Sequence, residues 1–181
     1  MAPGADATAA DRARWASCSD AALAAECEVD RYRASGPGGQ HRNKTESAVR
    51  YRHRATGLAA IGEESRSQAE NRERALRRVR AVLVLSMRLP VAPEAGPSAH
   101  LARVLAAGTA PLGEKTRQTG GYLMAMAELL DLLAACGGEV AATAGRLGVT
   151  TGATSKFLLH DERVARLANQ IRAEHGLRPL R

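Results

Sequence analysis

Between Arg33 and Val49 the chain reads RASGPGGQHRNKTESAV, and three features of that run could do chemistry: glycines at 36, 38 and 39, a glutamine at 40, and cations at 42 and 44. Paired glycines let a backbone enter a confined site with no Cβ in the way, and they permit positive φ. Main-chain N–H groups exposed in this manner can stabilise an oxyanion during acyl transfer. On this reading Gln40 contributes its backbone N–H, while its side chain fills space and shapes the position of a water. His41, Arg42 and Lys44 hold the base of the loop against RNA phosphate, and Asn43 pins its return. Two other readings stand beside it. One is an ordinary flexible turn between strands. The other is a phosphate cradle, although the run lacks the Gly-Lys-Thr order and the immediate helix that a P-loop uses.

Such a loop needs a frame, and the flanking sequence supplies one. Ser19 is placed to N-cap a short helix through Glu26, with Leu23 and the alanines facing inward. Glu28 to Arg33 (EVDRYR) has the pattern of a half-buried strand. Ala48 to His53 (AVRYRH) is a second strand, with Val49 and Tyr51 on one face and Arg50 and Arg52 on the other. Ala55-Thr56-Gly57 turns the chain, and Leu58 to Ile61 returns as a third strand. Ser67 and Glu70 make a capping box that opens a long helix running to about Met87. Leu76, Val79 and Leu83 form its buried stripe. Glu70–Arg74 and Glu73–Arg77 have i,i+4 spacing, which leaves Arg72, Arg78 and Arg80 for solvent or phosphate. The expectation is an α+β unit over 19–89: a helix, a three-stranded, mainly antiparallel sheet and a long helix. A flexible arm over 1–18, anchored by Trp15, precedes it.

The extended pattern resembles the GGQ domain of class I peptide chain release factors and their ribosome-rescue relatives. R-A-S-G-P-G-G-Q-H-x-N-K-x-x-S-A-V runs from Arg33 to Val49, followed by Thr56-Gly57, then Arg66-Ser67-Gln68 and Asn71, in that family's order and spacing over residues 19–88. The resemblance implies hydrolysis of the ester joining a nascent peptide to tRNA in the large subunit's peptidyl transferase centre. It assigns catalysis to Gly38, Gly39 and Gln40. The two glycines shape the loop, and the Gln40 N–H stabilises the transition state or the departing ribose 3′ oxygen. The glutamine side chain admits water and excludes bulkier nucleophiles. Gln40 is also implied as a target for N-methylation by a glutamine methyltransferase. Arg33, Ser35, Gly36, Pro37, His41, Arg42, Asn43, Lys44, Arg66, Gln68 and Asn71 are implied to contact substrate or ribosomal RNA. No metal or organic cofactor is implied, and the partners are the ribosome and peptidyl-tRNA. Two positions depart from the family: Arg42 stands where Val or Ile is usual, and Ala55 replaces a common Pro.

Release factors that act at stop codons carry a separate codon-reading domain. Here 18 residues precede Ser19, too few for one. Pro90, Pro93, Gly96 and Pro97 mark a linker over 90–97, and beyond it the pattern is helical throughout 98–181. Helices are expected at Ser98–Ala107, Tyr122–Ala135, Glu139–Leu147, Thr151–His160 and Glu162–His175, with a polar connection over 115–121 and a trailing end at 176–181. That half lacks the tripeptide-bearing strands of a codon reader, so codon-independent release, as in ribosome rescue, is the expectation. The basic, disordered tail common among single-domain rescue relatives is replaced here by Val164, Leu167 and Ile171 at helical spacing. Residues 139–159 are similar to a helix-turn-helix, with a plain αα-corner as the alternative.

Charge and composition fit this picture. The net charge is +7, and it is concentrated between Arg31 and Arg88, where 14 Lys and Arg face 5 acidic residues. A field of that sign points to a polyanionic partner such as nucleic acid. Aromatics make up 3% and hydrophobic residues 45%, so a core of Ala, Leu and Val suits helices better than a sandwich. Cys18, Cys27 and Cys136 lack metal-ligand spacing and read as free thiols in a reducing compartment. No apolar run approaches a membrane span, and neither a signal nor a transit peptide is indicated. The expected address is cytoplasmic, with no membrane association, and the expected state a monomer. The rival from another class is a non-catalytic ribosome- or RNA-binding factor acting through its helical half.

Overall fold

The computed structural model describes residues 7–32, 47–110 and 112–181. They fall into two units, Met1–Val84 and Leu85–Arg181. The division lies in the last turn of a helix rather than at the 90–97 linker.

The first unit opens with α1 (Ala9–Ser17) and α2 (Asp20–Ala25), followed by β1 (Cys27–Tyr32), β2 (Ala48–His53), β3 (Ala59–Gly62) and α3 (Gln68–Ser86). α1 replaces most of the arm expected over 1–18. Thr8 and Asp11 form a capping box: the Thr8 hydroxyl accepts from the Asp11 N–H at 3.2 Å, and the Asp11 carboxylate accepts from the Thr8 N–H at 2.9 Å. Trp15 is buried and lies edge-on to the His53 ring, with centroids 5.1 Å apart. Glu26 gathers this corner. Its carboxylate pairs with Arg14 and accepts from Trp15 Nε1 at 3.3 Å, and it lies 3.2 Å from His53 Nε2. Burial opposes the charge on Glu26, but the hydrogen bonds from Arg14 and His53 hold its carboxyl below the usual range. In α2, Ser19 caps as expected, accepting from the Ala22 N–H at 3.2 Å. Leu23 is buried, whereas Ala21, Ala22 and Ala25 are exposed, because so short a helix turns one large residue inward.

The sheet has the order β1-β2-β3, antiparallel throughout. β2 alternates as the sequence predicts, with Val49, Tyr51 and His53 buried. Side chains two apart on a strand share a face. α3 lies on that side: the Tyr51 hydroxyl accepts from Arg72 Nε at 2.8 Å. β1 is less buried than its sequence suggests. Val29 pairs with Tyr51 and shares its face, yet is 38% exposed, because β1 is the edge of the sheet. Gly57, at φ +70, turns β2 into β3, a backbone conformation that favours glycine. α3 buries Leu76, Val79 and Leu83 as expected.

The second unit is built, among its described residues, of α4 (Ala99–Ala107), α5 (Glu114–Arg117), α6 (Gly120–Ala135), α7 (Val140–Leu147), α8 (Thr151–His160) and α9 (Glu162–Glu174). α6 is the hub, packing with α4, α5, α7 and α9, and Leu123, Met126, Leu129, Leu130 and Leu133 are fully enclosed. α5 is a single turn that begins one residue before the expected polar connection over 115–121 and runs into it. The last residues do not trail away: the Leu180 N–H donates to Asn169 Oδ1 at 2.7 Å, and Arg172 Nε donates to the Arg178 carbonyl at 2.9 Å. Among the described residues no helix is long and apolar enough to cross a membrane.

Candidate functional site

The β1–β2 ladder closes on the pair Tyr32–Ala48. Residues 33–46, which carry the sequence-predicted loop, lie outside the described residues. Arg33, Ser35, Gly36, Pro37, Gly38, Gly39, Gln40, His41, Arg42, Asn43 and Lys44 all belong to that stretch. The structure therefore defines the frame from which the loop departs and to which it returns.

The return is fixed by Asn71. This residue is 0% exposed, and its side-chain amide donates to two carbonyls, Ser47 at 2.8 Å and Ser65 at 2.7 Å. Its side-chain oxygen accepts from the Ser65 N–H at 2.9 Å. One carboxamide thus ties the first residue after the loop to the β3–α3 connection, satisfying backbone groups that burial would otherwise leave unpaired. On the departing side, the Tyr32 hydroxyl donates to Glu63 Oε2 at 3.3 Å. Burial, then the charge on Glu63, raises the Tyr32 pKa. Both ends of the loop are hence bound to the same connection, one through Glu63 and the other through Asn71.

That connection is held down on α3. A Cβ built on Gly62 would stand 2.2 Å from the Asn71 carbonyl oxygen and 3.0 Å from the Ala75 nitrogen, so strand and helix meet where only hydrogen fits. Glu64 pairs with Arg78 at 2.6 Å, and Arg78 also donates to the Ile61 carbonyl at 2.6 Å. Burial works against the Glu64 charge, but the Arg78 hydrogen bond outweighs it, so the carboxyl stays below its usual range.

Two sequence expectations are qualified here. Asn71, implied as an RNA or substrate contact, is buried with its amide committed to the Ser47 and Ser65 backbone. Of the cations expected for solvent or phosphate, Arg72 and Arg78 are exposed while also holding internal partners, whereas Arg80 is buried. Arg72 holds the Tyr51 hydroxyl and Arg78 the Glu64 carboxylate. Arg80 is 8% exposed and donates to the Trp15 carbonyl at 2.5 Å, the Cys18 carbonyl at 2.9 Å and Asp20 Oδ1 at 2.7 Å. Arg66 and Gln68, the other two implied contacts, are exposed at the head of α3. Gly62, Glu63 and Ser65 were not singled out by the sequence. The available signal was a glycine ending a strand, which often marks close backbone approach.

Residues 22–106 match the RF-1 domain family. Peptide chain release factor 1 of Ureaplasma parvum serovar 3 is 57% identical over 58 residues, which is 32% of this chain and 16% of that protein. Peptide chain release factor 2 of Paramagnetospirillum magneticum is also 57% identical over 58 residues, 32% of this chain and 16% of that protein. Peptide chain release factor 1 of Leptothrix cholodnii is 44% identical over 93 residues, 51% of this chain and 25% of that protein. The chain thus spans a quarter or less of the length of these relatives.

Proposed function

We propose, from the premise that residues 22–106 are a domain of the GGQ-domain peptide chain release factor family, that this chain hydrolyses the ester between nascent peptide and tRNA on the ribosome without reading a codon. The observation that carries the proposal is Gly38-Gly39-Gln40, intact within R-A-S-G-P-G-G-Q-H-x-N-K and inside the matched stretch.

In this mechanism the Cβ-free turn at 38 and 39 carries the amide of Gln40 to the scissile ester. A water oxygen bonds to the ester carbonyl carbon, and the bond to the ribose 3′ oxygen breaks. That oxygen takes up one of the water's two protons, the other passes to solvent, and a free peptide carboxylate remains. The Gln40 N–H donates to the developing oxyanion or to the 3′ oxygen, and its side chain reserves the attacking position for water. The contribution is positional and electrostatic. The basic stretch from Arg31 to Arg88 favours docking on ribosomal RNA phosphate, and the Asn71 clamp favours a defined loop exit. Helices in place of strands among the described residues beyond 98 support the codon-independent branch. Gln40 is the proposed methylation site.

The test is peptide release from ribosomal complexes with an empty A site, comparing the parent with Gly39→Ala. Misplacing one oxyanion donor costs on the order of 100-fold in rate or more, and that loss is the expected result. Equal release by both proteins would sink the proposal and favour a non-catalytic binding factor. Release should also be the same with a stop codon, a sense codon or no codon in the A site.

A further inference from the structure

The face of the sheet turned away from α3 carries a row of side chains at the mouth of the predicted loop. Tyr32 pairs with Ala48 across β1 and β2, and the β2–β3 register, with Val49 opposite Gly62, sets Ala48 opposite Glu63. Neighbouring strands lie about 4.8 Å apart, so the backbones at Tyr32 and Glu63 are roughly 10 Å apart. Their side chains nonetheless meet, the Tyr32 hydroxyl donating to Glu63 Oε2 at 3.3 Å. A phenol spans that gap only by crossing the residue between. The ring therefore lies over Ala48, which is 0% exposed although Asp30, Arg52 and Ile61 of the same face are exposed. A small residue at 48 leaves the ring its path.

The surroundings preserve this contact. Arg50, on the same face, is engaged by Asp30 through Nε at 3.0 Å and Nη2 at 2.7 Å, so it does not draw Glu63 away from the phenol. Burial and the neighbouring Glu63 charge both favour the protonated phenol, so the donor persists. Tyr32–Ala48 is also the last pair of the β1–β2 ladder, and the ends of an element open most easily unless a side chain ties them down. Asn71 fastens Ser47 from α3, on the opposite face. The two stems of the loop are thus gripped from both sides of the sheet.

We infer that Tyr32 and Glu63 are positioning residues for peptide release, setting the separation and direction of the stems between which residues 33–46 run. The inference rests on the release reading given above. Its action is indirect, through the stems that present Gly38, Gly39 and Gln40. A misplacement of about 1 Å at a reacting group can cost on the order of 100-fold in rate, so a fastener on the stems governs kcat without adding to binding. Asn71 does not supply this alone, because it ties Ser47 and leaves Tyr32 to the terminal bonds of the ladder.

The test measures peptide release by the full chain from ribosomal complexes with an empty A site, together with amide hydrogen exchange of the free protein. Tyr32→Phe keeps the ring over Ala48 and removes the hydroxyl alone. It should lower kcat about fivefold, the scale of one lost hydrogen bond. KM should hold, and exchange should quicken at the Tyr32–Ala48 end of the ladder. Glu63→Ala should do the same, and the double variant should be no worse than either single one, as expected of two residues acting through one contact. Glu63→Gln keeps an acceptor and should leave both readouts near the parent's. Unchanged exchange in Tyr32→Phe and Glu63→Ala would overturn the inference, as would a loss confined to KM or a lowered Tm with kcat intact. Additive losses in the double variant would overturn it too. Gly39→Ala, run alongside, separates the two ideas. If it loses release while Tyr32→Phe does not, only the positioning role fails. If it releases peptide as well as the parent, the release reading fails and the positioning role goes with it, while exchange still reports the contact.

Discussion

Asn71 and Ser47 are 24 residues apart in sequence, yet the side-chain amide of the first donates to the carbonyl of the second at 2.8 Å. Ser47 is the first described residue after the predicted catalytic loop, so a side chain on α3 fixes the point where that loop rejoins the sheet. Removing the carboxamide in Asn71→Ala leaves two carbonyls and one N–H unsatisfied in a buried place. The expected loss is about 3 kcal/mol in chemical denaturation, since each orphaned buried group costs about 1–3 kcal/mol. At a temperature where the variant is still folded, peptide release should fall in kcat more than in KM. A fall confined to KM would mean that Asn71 serves binding instead.

Gly62→Ala probes the same frame from the strand side. Its new Cβ would meet the Asn71 carbonyl oxygen at 2.2 Å, a clash with backbone that no rotamer relieves. Strand β3 must lift from α3, at a cost of about 3 kcal/mol or more. Thermal unfolding of Gly62→Ala beside Gly57→Ala separates the two glycine roles, since Gly57 faces open space and is constrained only by its positive φ.

Arg80 offers a test between scaffold and binding. The side chain is 8% exposed and bonded to the Trp15 and Cys18 carbonyls and to Asp20. Arg80→Leu should therefore destabilise the fold by about 3 kcal/mol, the range for breaking a buried charged network. The salt dependence of RNA binding should not change. A lowered salt slope at unchanged stability would return Arg80 to the phosphate contacts.

In the second unit, Asp161 caps α9 and is 3% exposed; its carboxylate accepts from the Arg163 N–H at 2.9 Å and from Arg163 Nη2 at 2.6 Å. Burial alone would raise its pKa, but the Arg163 hydrogen bond and charge outweigh it and hold the carboxyl below 3.8. A depressed acid stabilises the fold above its unfolded value, and the contribution fades as pH falls through the folded value. Asp161→Asn keeps a cap acceptor but loses the charge. Its Tm deficit should be full above pH 3.8 and shrink below it. A deficit independent of pH would show that the charge is irrelevant.

Much of the frame was legible in the sequence because its signals are local. The alternation of Val49 and Tyr51 with Arg50 and Arg52 in β2, the Ser19 cap and the Leu76–Val79–Leu83 stripe each follow from neighbouring residues and the period of the element. The capping box at Thr8 and Asp11 was equally local but lay in an Ala-rich stretch that reads as loose. What anchors that helix, Trp15 against His53 and Arg80, is distant in sequence. Val29 shows the opposite failure: its spacing suits a buried face, but position at the sheet edge exposes it.

The proposed chemistry comes from the sequence alone, because Gly38, Gly39 and Gln40 are defined by residue type and order, and covalent order is all a short motif needs. The sequence also determined the kinds of element and most of their limits. Only the tertiary structure decided which polar side chains are available. Asn71, Arg72, Arg78 and Arg80 look alike in a sequence as exposed helix residues, yet folding buries Asn71 and Arg80 among their partners while Arg72 and Arg78 stay exposed beside theirs. A buried polar group must be paired, and which partner satisfies it depends on distances through space, not along the chain.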